Sequence, residues 1–260
     1  MTKDLVLIGG GVGPMAGVAL HRKVIENTDN EGTDQGHLEV LHLSRSPIIG
    51  DRTEFLLGRD VQDPVTGMLR VFRMAAAALS SESRGGVGGV PCNTFHAPPI
   101  YERFEGAFEA EGLPIRLLHM LRETAQMIAT VRPGARRVGV LSTTGTRSAG
   151  VYRTLFAEEG LDVTEIPEEH QGELHEAIYH REWGLKALSA ADPRAAERVT
   201  RFADMLIDDG AEVLILGCTE LPFALDEGSR RGVPVIDPMT ALARALVREV
   251  APRKLKPLGS

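Results

Sequence analysis

The feature that most constrains the fold of this sequence is a distant internal repeat, in which apolar strands are followed by polar turns. The run LVLI at residues 5–8 leads into the glycine-rich turn GGGVGP at 9–14. In the same way, the run VGVL at 138–141 leads into the hydroxyl-rich turn STTGT at 142–146. Continuous apolar runs are typical of central strands in a parallel sheet. The repeat therefore predicts two similar α/β halves.

The sequence contains only two cysteines, and each follows a strand-like apolar run. Cys92 lies in the segment PCNTFH at 91–96, after a glycine-rich run, and Cys218 lies in the segment GCTE at 217–220. Open α/β sheets bind their ligands beyond the carboxyl ends of the strands. Two cysteines in matched settings therefore predict a paired site, with the two thiols facing one cleft.

The repeat also predicts two domains in a chain of 260 residues, which is long enough for both. We expect the first domain, with Cys92, to comprise residues 1–120 and 231–260. The second domain, with Cys218, is expected at 121–230. Each is predicted to be a mostly parallel, four-stranded-type sheet flanked by helices. The last helix, from about Met239, is expected to return to the first domain.

Composition and charge exclude several classes of partner. The formal net charge of -7 argues against a nucleic-acid partner, which favours a basic face. No apolar run reaches the roughly 18 residues that a membrane span needs, and the first residues show no signal-peptide pattern. Two cysteines do not form a disulfide scaffold, so a reducing compartment is expected. These features predict a cytoplasmic protein without a nucleic-acid or membrane partner.

Several chemistries are open to the two cysteines. Two thiols on opposite sides of a substrate can remove a proton from one face and return one to the other. Free cysteines are also common core residues, and a metal site needs more soft ligands than two. His96 suggests either a Cys–His nucleophile or an orienting group. The loop at 11–16 fits a dinucleotide fingerprint only loosely, since no ribose-binding carboxylate follows the next strand.

The two cysteine segments resemble the signature motifs of the aspartate racemase branch of the Asp/Glu racemase superfamily. Other segments resemble that family as well: GGVGP at 10–14, DRTxFLLG at 51–58, TxGT at 143–146 and AIY…GLKA at 177–187. The resemblance spans nearly the whole chain. It implies a cofactor-independent racemase of two pseudo-symmetric α/β domains, with the active site in the cleft between them.

The resemblance also implies roles for particular residues. Cys92 and Cys218 would form the acid–base pair, with no bound cofactor and no metal. Arg52 and Lys186 match positions that hold the side-chain carboxylate in members selective for aspartate. Backbone N–H groups at helix starts are expected to bind the α-carboxylate and stabilise developing charge, with a hydroxyl from the second turn. The residues that supply these groups are Asn93, Thr94, Thr219, Glu220 and Thr143.

Two positions depart from the family pattern, and a third residue favours one branch of the family. Val12 replaces the methionine expected in the glycine loop, which bears on packing in the cleft. Gly50 stands where the family often has proline before Asp-Arg-Thr, which bears on the position of Arg52. Glu220 after Cys218 favours the aspartate-type branch, because glutamate racemases typically resemble Gly-Cys-Thr-His there.

These observations predict an amino-acid racemase that interconverts L- and D-aspartate, or glutamate, by proton transfer between Cys92 and Cys218. One alternative is a racemase of broad specificity. Others are a cis–trans isomerase or decarboxylase of the same superfamily, and a non-catalytic protein that binds acidic metabolites. We expect a homodimer whose small-molecule partner is an acidic amino acid.

Overall fold

The computed structural model describes residues 4–59, 61–187 and 192–258. The chain divides into two compact units, Met1–Glu123 with Met239–Ser260, and Thr124–Pro238. Each unit has its own sheet. None of the helices in these described residues combines the length and hydrophobicity that a membrane span requires.

The first unit is built on a sheet of four parallel strands in the order β2-β1-β3-β4. Its strands are β1 (Asp4–Gly10), β2 (Val40–Ser44), β3 (Gly85–Gly89) and β4 (Ile115–Leu117). Its helices are α1 (Pro14–Glu26), α2 (Arg52–Leu56), α3 (Pro64–Ser81) and α4 (Pro98–Glu111). Helix α5 (Met120–Val131) follows and includes the residues at which the first unit gives way to the second.

The glycines of β3 allow helices to pack closely against this strand. A Cβ at Gly88 would lie 3.0 Å from the Phe72 ring of α3, and one at Gly89 would lie 2.8 Å from the Leu242 side chain. The Phe72 and Leu242 side chains are buried. The glycine-rich run therefore serves close helix–sheet packing directly before the Cys92 segment.

The second unit contains a five-stranded sheet in the order β6-β5-β7-β9-β8. Its strands are β5 (Arg137–Ser142), β6 (Asp162–Glu165), β7 (Val213–Gly217), β8 (Gly228–Arg230) and β9 (Val233–Ile236). Only β8, at the edge, pairs antiparallel within this described sheet. Its helices are α6 (Thr144–Ser148), α7 (Val151–Glu158), α8 (Glu168–Tyr179) and α9 (Pro193–Asp208), and α10 (Pro238–Val250) follows.

The predicted α/β fold class is confirmed, since parallel strands dominate both sheets and helices flank them. The second sheet differs from the four-stranded expectation, because the edge strand β8 adds a fifth strand. Helices α6 and α7 are separate because Gly150 between them adopts a left-handed conformation with φ of 61°.

The boundary expected at residue 231 differs from the division seen in the structure, which falls after Pro238. The reason is that β9 hydrogen-bonds to β7, with Leu214 opposite Val235. Residues 231–238 therefore belong with the second unit. The other boundary falls after Glu123 rather than after residue 120.

Candidate active site

In the first unit, Cys92 lies in a tight turn three residues after β3 ends. Its backbone N–H donates to the carbonyl of Val90 at 2.9 Å, and its side chain is buried. A short 3₁₀ helix, Thr94–His96, begins two residues later. Asn93 is buried at the start of this helix, and Thr94 is half-buried. The turn thus places Cys92 and two predicted backbone donors at the carboxyl end of a parallel strand.

The side chain of His96 links this turn to the backbone at Met120 by hydrogen bonds. Its Nδ1 lies 2.8 Å from the Cys92 carbonyl oxygen, and its Nε2 accepts from the Met120 N–H at 3.3 Å. Burial lowers the pKa of His96 to about 4, although the hydrogen bond to Cys92 opposes that shift. The imidazole is therefore neutral at neutral pH. It contacts the backbone of Cys92 and is not placed here as a base for the thiol.

Arg52 begins α2, a helix that packs beside the 3₁₀ helix after Cys92. The Asp51 side chain caps α2 by accepting from the Glu54 N–H at 2.9 Å. The Arg52 guanidinium donates to the Gly50 carbonyl at 3.1 Å and to the carbonyl of Val12. The two positions that depart from the family pattern thus supply the acceptors that orient this arginine. No sequence pattern predicted these backbone contacts.

Gly50 is required by the local packing. A Cβ built at this position would lie 1.6 Å from the carbonyl oxygen of Gln62, which is far inside van der Waals contact. No side chain, and no proline ring, fits there without moving the backbone. The glycine therefore accompanies a close approach of two chain segments beside Arg52.

In the second unit, Cys218 follows β7 directly and belongs to a compact polar cluster. The Cys218 thiol donates to Glu220 Oε2 at 3.0 Å. The Thr219 hydroxyl donates to the same oxygen at 3.0 Å, and Lys186 Nζ donates to Glu220 Oε1 at 3.0 Å. Cys218 and Glu220 are buried, whereas the Lys186 side chain is 31% exposed. The Glu220 carboxylate is thus the centre of the cluster.

The charges in this cluster follow from burial and from the neighbouring groups. Burial and the Glu220 charge raise the pKa of the Cys218 thiol well above its usual range, with Lys186 acting in the opposite direction. Burial opposes ionisation of Glu220, but Lys186 and three hydrogen bonds hold its pKa below the usual value. Burial also disfavours the Lys186 ammonium, yet the surrounding negative groups raise its pKa overall. At neutral pH the cluster therefore holds a thiol, a carboxylate and an ammonium.

Lys186 was expected to hold a substrate carboxylate, but in this structure it pairs with a carboxylate of the protein. Its Nζ also lies 5.1 Å from the centre of the Tyr179 ring. That ring stacks on His175, whose Nδ1 accepts from the Thr144 N–H at 3.4 Å. His175 is half-buried.

The side-chain role of Glu220 was missed by sequence reasoning, which assigned only its backbone N–H to the site. The available signal was a carboxylate two residues after a cysteine at a strand end.

Thr143 lies directly after β5, and Ser142 is paired with Gly217 in the sheet, so Thr143 and Cys218 leave neighbouring strands. The Thr143 hydroxyl is buried and donates to the Thr146 hydroxyl at 3.1 Å, which shapes the turn.

The structure thus brings the predicted residues together in two groups, each described within its own unit. The first contains Cys92, Asn93 and Thr94 with the α2 helix of Arg52 alongside, and the second contains Cys218, Thr219, Glu220 and Lys186. In the part of the chain that the structure describes, no three His, Cys, Asp or Glu side chains are grouped to hold a metal ion.

The sequence matches the model of the Asp/Glu/hydantoin racemase family over residues 10–246. The chain belongs to this family. The match includes both cysteine segments, the α2 segment with Arg52 and the segment with Lys186. It confirms the superfamily inferred from the motifs and places the chain among the amino-acid racemases.

Several known proteins are similar to this chain in sequence or in fold. A glutamate racemase from Pseudomonas aeruginosa (strain UCBPP-PA14) is 31% identical over 229 residues, which is 76% of this chain and 83% of that protein. An uncharacterized protein from Pectobacterium carotovorum subsp. carotovorum is 33% identical over 95 residues, or 36% of this chain and 59% of that one. The structure of Picrophilus torridus aspartate racemase has 25% identity and a TM-score of 0.74, with 97% of this chain and 96% of that chain covered.

Proposed function

We propose that this protein racemises an acidic amino acid, with aspartate ahead of glutamate, by moving the α-proton between Cys92 and Cys218. The observation that carries the proposal is the Cys218 cluster, a buried thiol hydrogen-bonded to an ionised carboxylate in a chain of the racemase family. The relatives support the substrate class, because one is named a glutamate racemase and another an aspartate racemase.

In the proposed mechanism the two cysteines exchange protons with opposite faces of the α-carbon. Cys218 rests as a thiol, because burial and the Glu220 charge disfavour its thiolate. It is therefore suited to donate a proton to the α-carbon, while Cys92 acts as the base on the other face. Once Cys218 has given up its proton, Lys186 partly offsets the repulsion between thiolate and carboxylate. The opposite direction of racemisation reverses both roles.

The α-proton of an amino acid is very weakly acidic, so its removal needs stabilisation of the developing charge. We assign this to the backbone N–H groups of Asn93, Thr94, Thr219 and Glu220, together with the Thr143 hydroxyl. Asn93 supports this role because it is buried at the start of the 3₁₀ helix after Cys92. No cofactor or metal has a step in this mechanism.

Arg52 is proposed to bind the second carboxylate of the substrate. A planar guanidinium meets both oxygens of a carboxylate, and the carbonyls of Gly50 and Val12 fix its orientation. We expect Arg52→Ala to lower kcat/KM for aspartate by an amount that corresponds to a loss of roughly 2–4 kcal/mol in transition-state stabilisation. The fall in kcat/KM for alanine should be much smaller. Equal losses for both amino acids in a steady-state assay would make Arg52 a purely structural residue.

The deciding experiment is incubation with L-aspartate in deuterated water without added cofactor, after dialysis against a chelator. Proton NMR measures loss of the α-proton signal, and chiral chromatography measures the D-enantiomer. Deuterium incorporation with inversion supports the proposal, and Cys92→Ala and Cys218→Ala should each abolish racemisation while the protein stays folded. Tight aspartate binding without exchange would instead favour a binding protein.

Glutamate and alanine in the same assay test the substrate range, and a maleate or arylmalonate substrate tests the isomerase and decarboxylase alternatives. Equal rates for all three amino acids would indicate a racemase of broad specificity. The proposed homodimer is checked by light scattering coupled to size-exclusion chromatography, and the proposed cytoplasmic location by fractionation of the source cells.

A further inference from the structure

The ring of His96 is fixed in the core next to Cys92. The residue is 2% exposed. Tyr101 stacks on the ring with centroids 4.9 Å apart and planes at 20°, and His119 meets it edge-on at 4.6 Å. Aromatic neighbours on two sides prevent the imidazole from turning. The two ring nitrogens are therefore held toward fixed partners.

The partners of His96 define its protonation state. The Met120 backbone N–H can only donate, so the Nε2 that it contacts must be the accepting nitrogen. A neutral imidazole with Nε2 as acceptor carries its proton on Nδ1. The Nδ1–H therefore donates to the Cys92 carbonyl, 2.8 Å away. The same ring binds one of the N–H groups that the start of α5 leaves without a helical partner.

Holding the Cys92 carbonyl also fixes the next N–H group. The peptide unit is planar and trans, so the N–H of Asn93 points opposite to the Cys92 C=O. Because that carbonyl is directed at His96 in the core, the Asn93 N–H is directed away from His96. The conformation of this one peptide also sets the backbone from which the Cys92 thiol projects.

We propose that His96 is a positioning residue, which holds the Cys92 carbonyl so that the Asn93 N–H meets the α-carboxylate of the substrate and Cys92 meets the α-carbon. This inference rests on the proposed racemase function. His96 itself does not touch substrate. Its effect is preorganisation, since a misplacement of about 1 Å in a catalytic group can cost roughly 10²-fold in rate.

Three variants separate positioning from simple core filling. His96→Leu keeps an apolar side chain of similar bulk but removes both hydrogen bonds, whereas His96→Asn keeps an N–H donor near the position of Nδ1. His119→Leu is the matched control, because leucine is large enough to keep a packed neighbour on that side of the His96 ring and leaves both His96 hydrogen bonds in place, while the His119 Nδ1 accepts from the Arg122 N–H instead. Each variant is compared with the wild type for kcat, KM and thermal midpoint.

We expect His96→Leu to lower kcat for α-proton exchange by about 10²-fold with a small change in KM. His96→Asn should recover most of that loss, and His119→Leu should retain the wild-type kcat. A folded His96→Leu protein with wild-type kcat would overturn the proposal. An equal loss of kcat in His119→Leu would also overturn it, because the effect would then belong to the packing of the whole cluster.

A measurement on the unmodified protein tests the contact even where a variant does not fold. Nitrogen-15 NMR of labelled histidine should show His96 as the neutral Nδ1–H tautomer from pH 6 to pH 9. An Nε2–H tautomer, or free titration near pH 6.5, would refute the hydrogen bond to Cys92 and with it the proposal. Absence of α-proton exchange in the wild type would contradict the racemase function, while the tautomer would still decide whether His96 holds Cys92.

Discussion

Replacing Glu220 with glutamine should make the Cys218 thiol ionise more readily. The thiol sulfur lies 3.0 Å from Glu220 Oε2, and the carboxylate charge is shared over two oxygens, so a charge separation of about 4 Å is appropriate. At that separation, two like charges repel by about 4 kcal/mol in a partly screened environment. Glutamine has nearly the same shape but no charge. The substitution therefore isolates the electrostatic contribution of the carboxylate.

Not all of this energy survives in the variant, because water and neighbouring dipoles adjust to the new side chain. If half of it remains, the gain is about 2 kcal/mol, or about 30-fold in the ionisation constant of the thiol. Lys186 loses its partner in this variant and then favours the thiolate further. We therefore expect Cys218 in the Glu220→Gln protein to be alkylated at least about tenfold faster at neutral pH.

The assay is alkylation by iodoacetamide in a Cys92→Ala background, so that Cys218 is the only cysteine in the chain. Mass spectrometry gives the rate at each pH between 6 and 10. Asp226→Asn is the control, because it removes one exposed carboxylate near the site in sequence. An unchanged or slower rate in a folded Glu220→Gln protein would refute the electrostatic argument, since no carboxylate would then be suppressing the thiolate.

Three further predictions concern stability. Lys186→Met leaves the Glu220 carboxylate buried without its cation, so urea unfolding should show a free energy of unfolding that is lower by roughly 1–3 kcal/mol. Adding Glu220→Gln to Lys186→Met should restore part of this loss. Gly50→Ala should lower the free energy of unfolding, measured in the same way, by roughly 1–3 kcal/mol, because its Cβ would overlap a carbonyl oxygen. Gly106→Ala, in α4 with open space around the position, should instead raise the free energy of unfolding by about 0.5–1 kcal/mol. The pKa of His96 falls from 6.5 to about 4 on folding, so the unfolded chain binds the extra proton between these values. The contribution of His96 to the unfolding free energy should therefore be fully present above pH 6.5 and fall by about 3 kcal/mol toward pH 4. Chemical denaturation of His96→Asn should accordingly show a smaller decline than the wild type over this pH range.

Much of the fold was readable from the sequence because strands, turns and helices have local signatures. The apolar runs before the glycine loop and before both cysteines became β1, β3 and β7. The turn composition located the strand ends, and parallel topology then put Cys92 and Cys218 at carboxyl ends. The order of the motifs was enough to identify the family, which the match over residues 10–246 confirms.

The tertiary structure decided the features that depend on partners distant in sequence. The unit boundary after Pro238 depends on which strand β9 joins, and β9 pairs with β7 across about 20 residues of chain. Glu220 follows Cys218 closely in sequence, but only the folded backbone turns its carboxylate toward the thiol. Sequence spacing alone allowed that side chain to point elsewhere.

Lys186 and Arg52 show the same limit of local information. The sequence presented each as a cation suited to an acidic ligand, yet Lys186 pairs with a glutamate 34 positions away. Arg52 binds a carbonyl 40 positions away in the glycine loop. Residue type and local pattern thus determined where the strands end and which groups are present. Packing between distant segments determined which groups meet, because a hydrogen bond forms only where the folded chain brings donor and acceptor within reach.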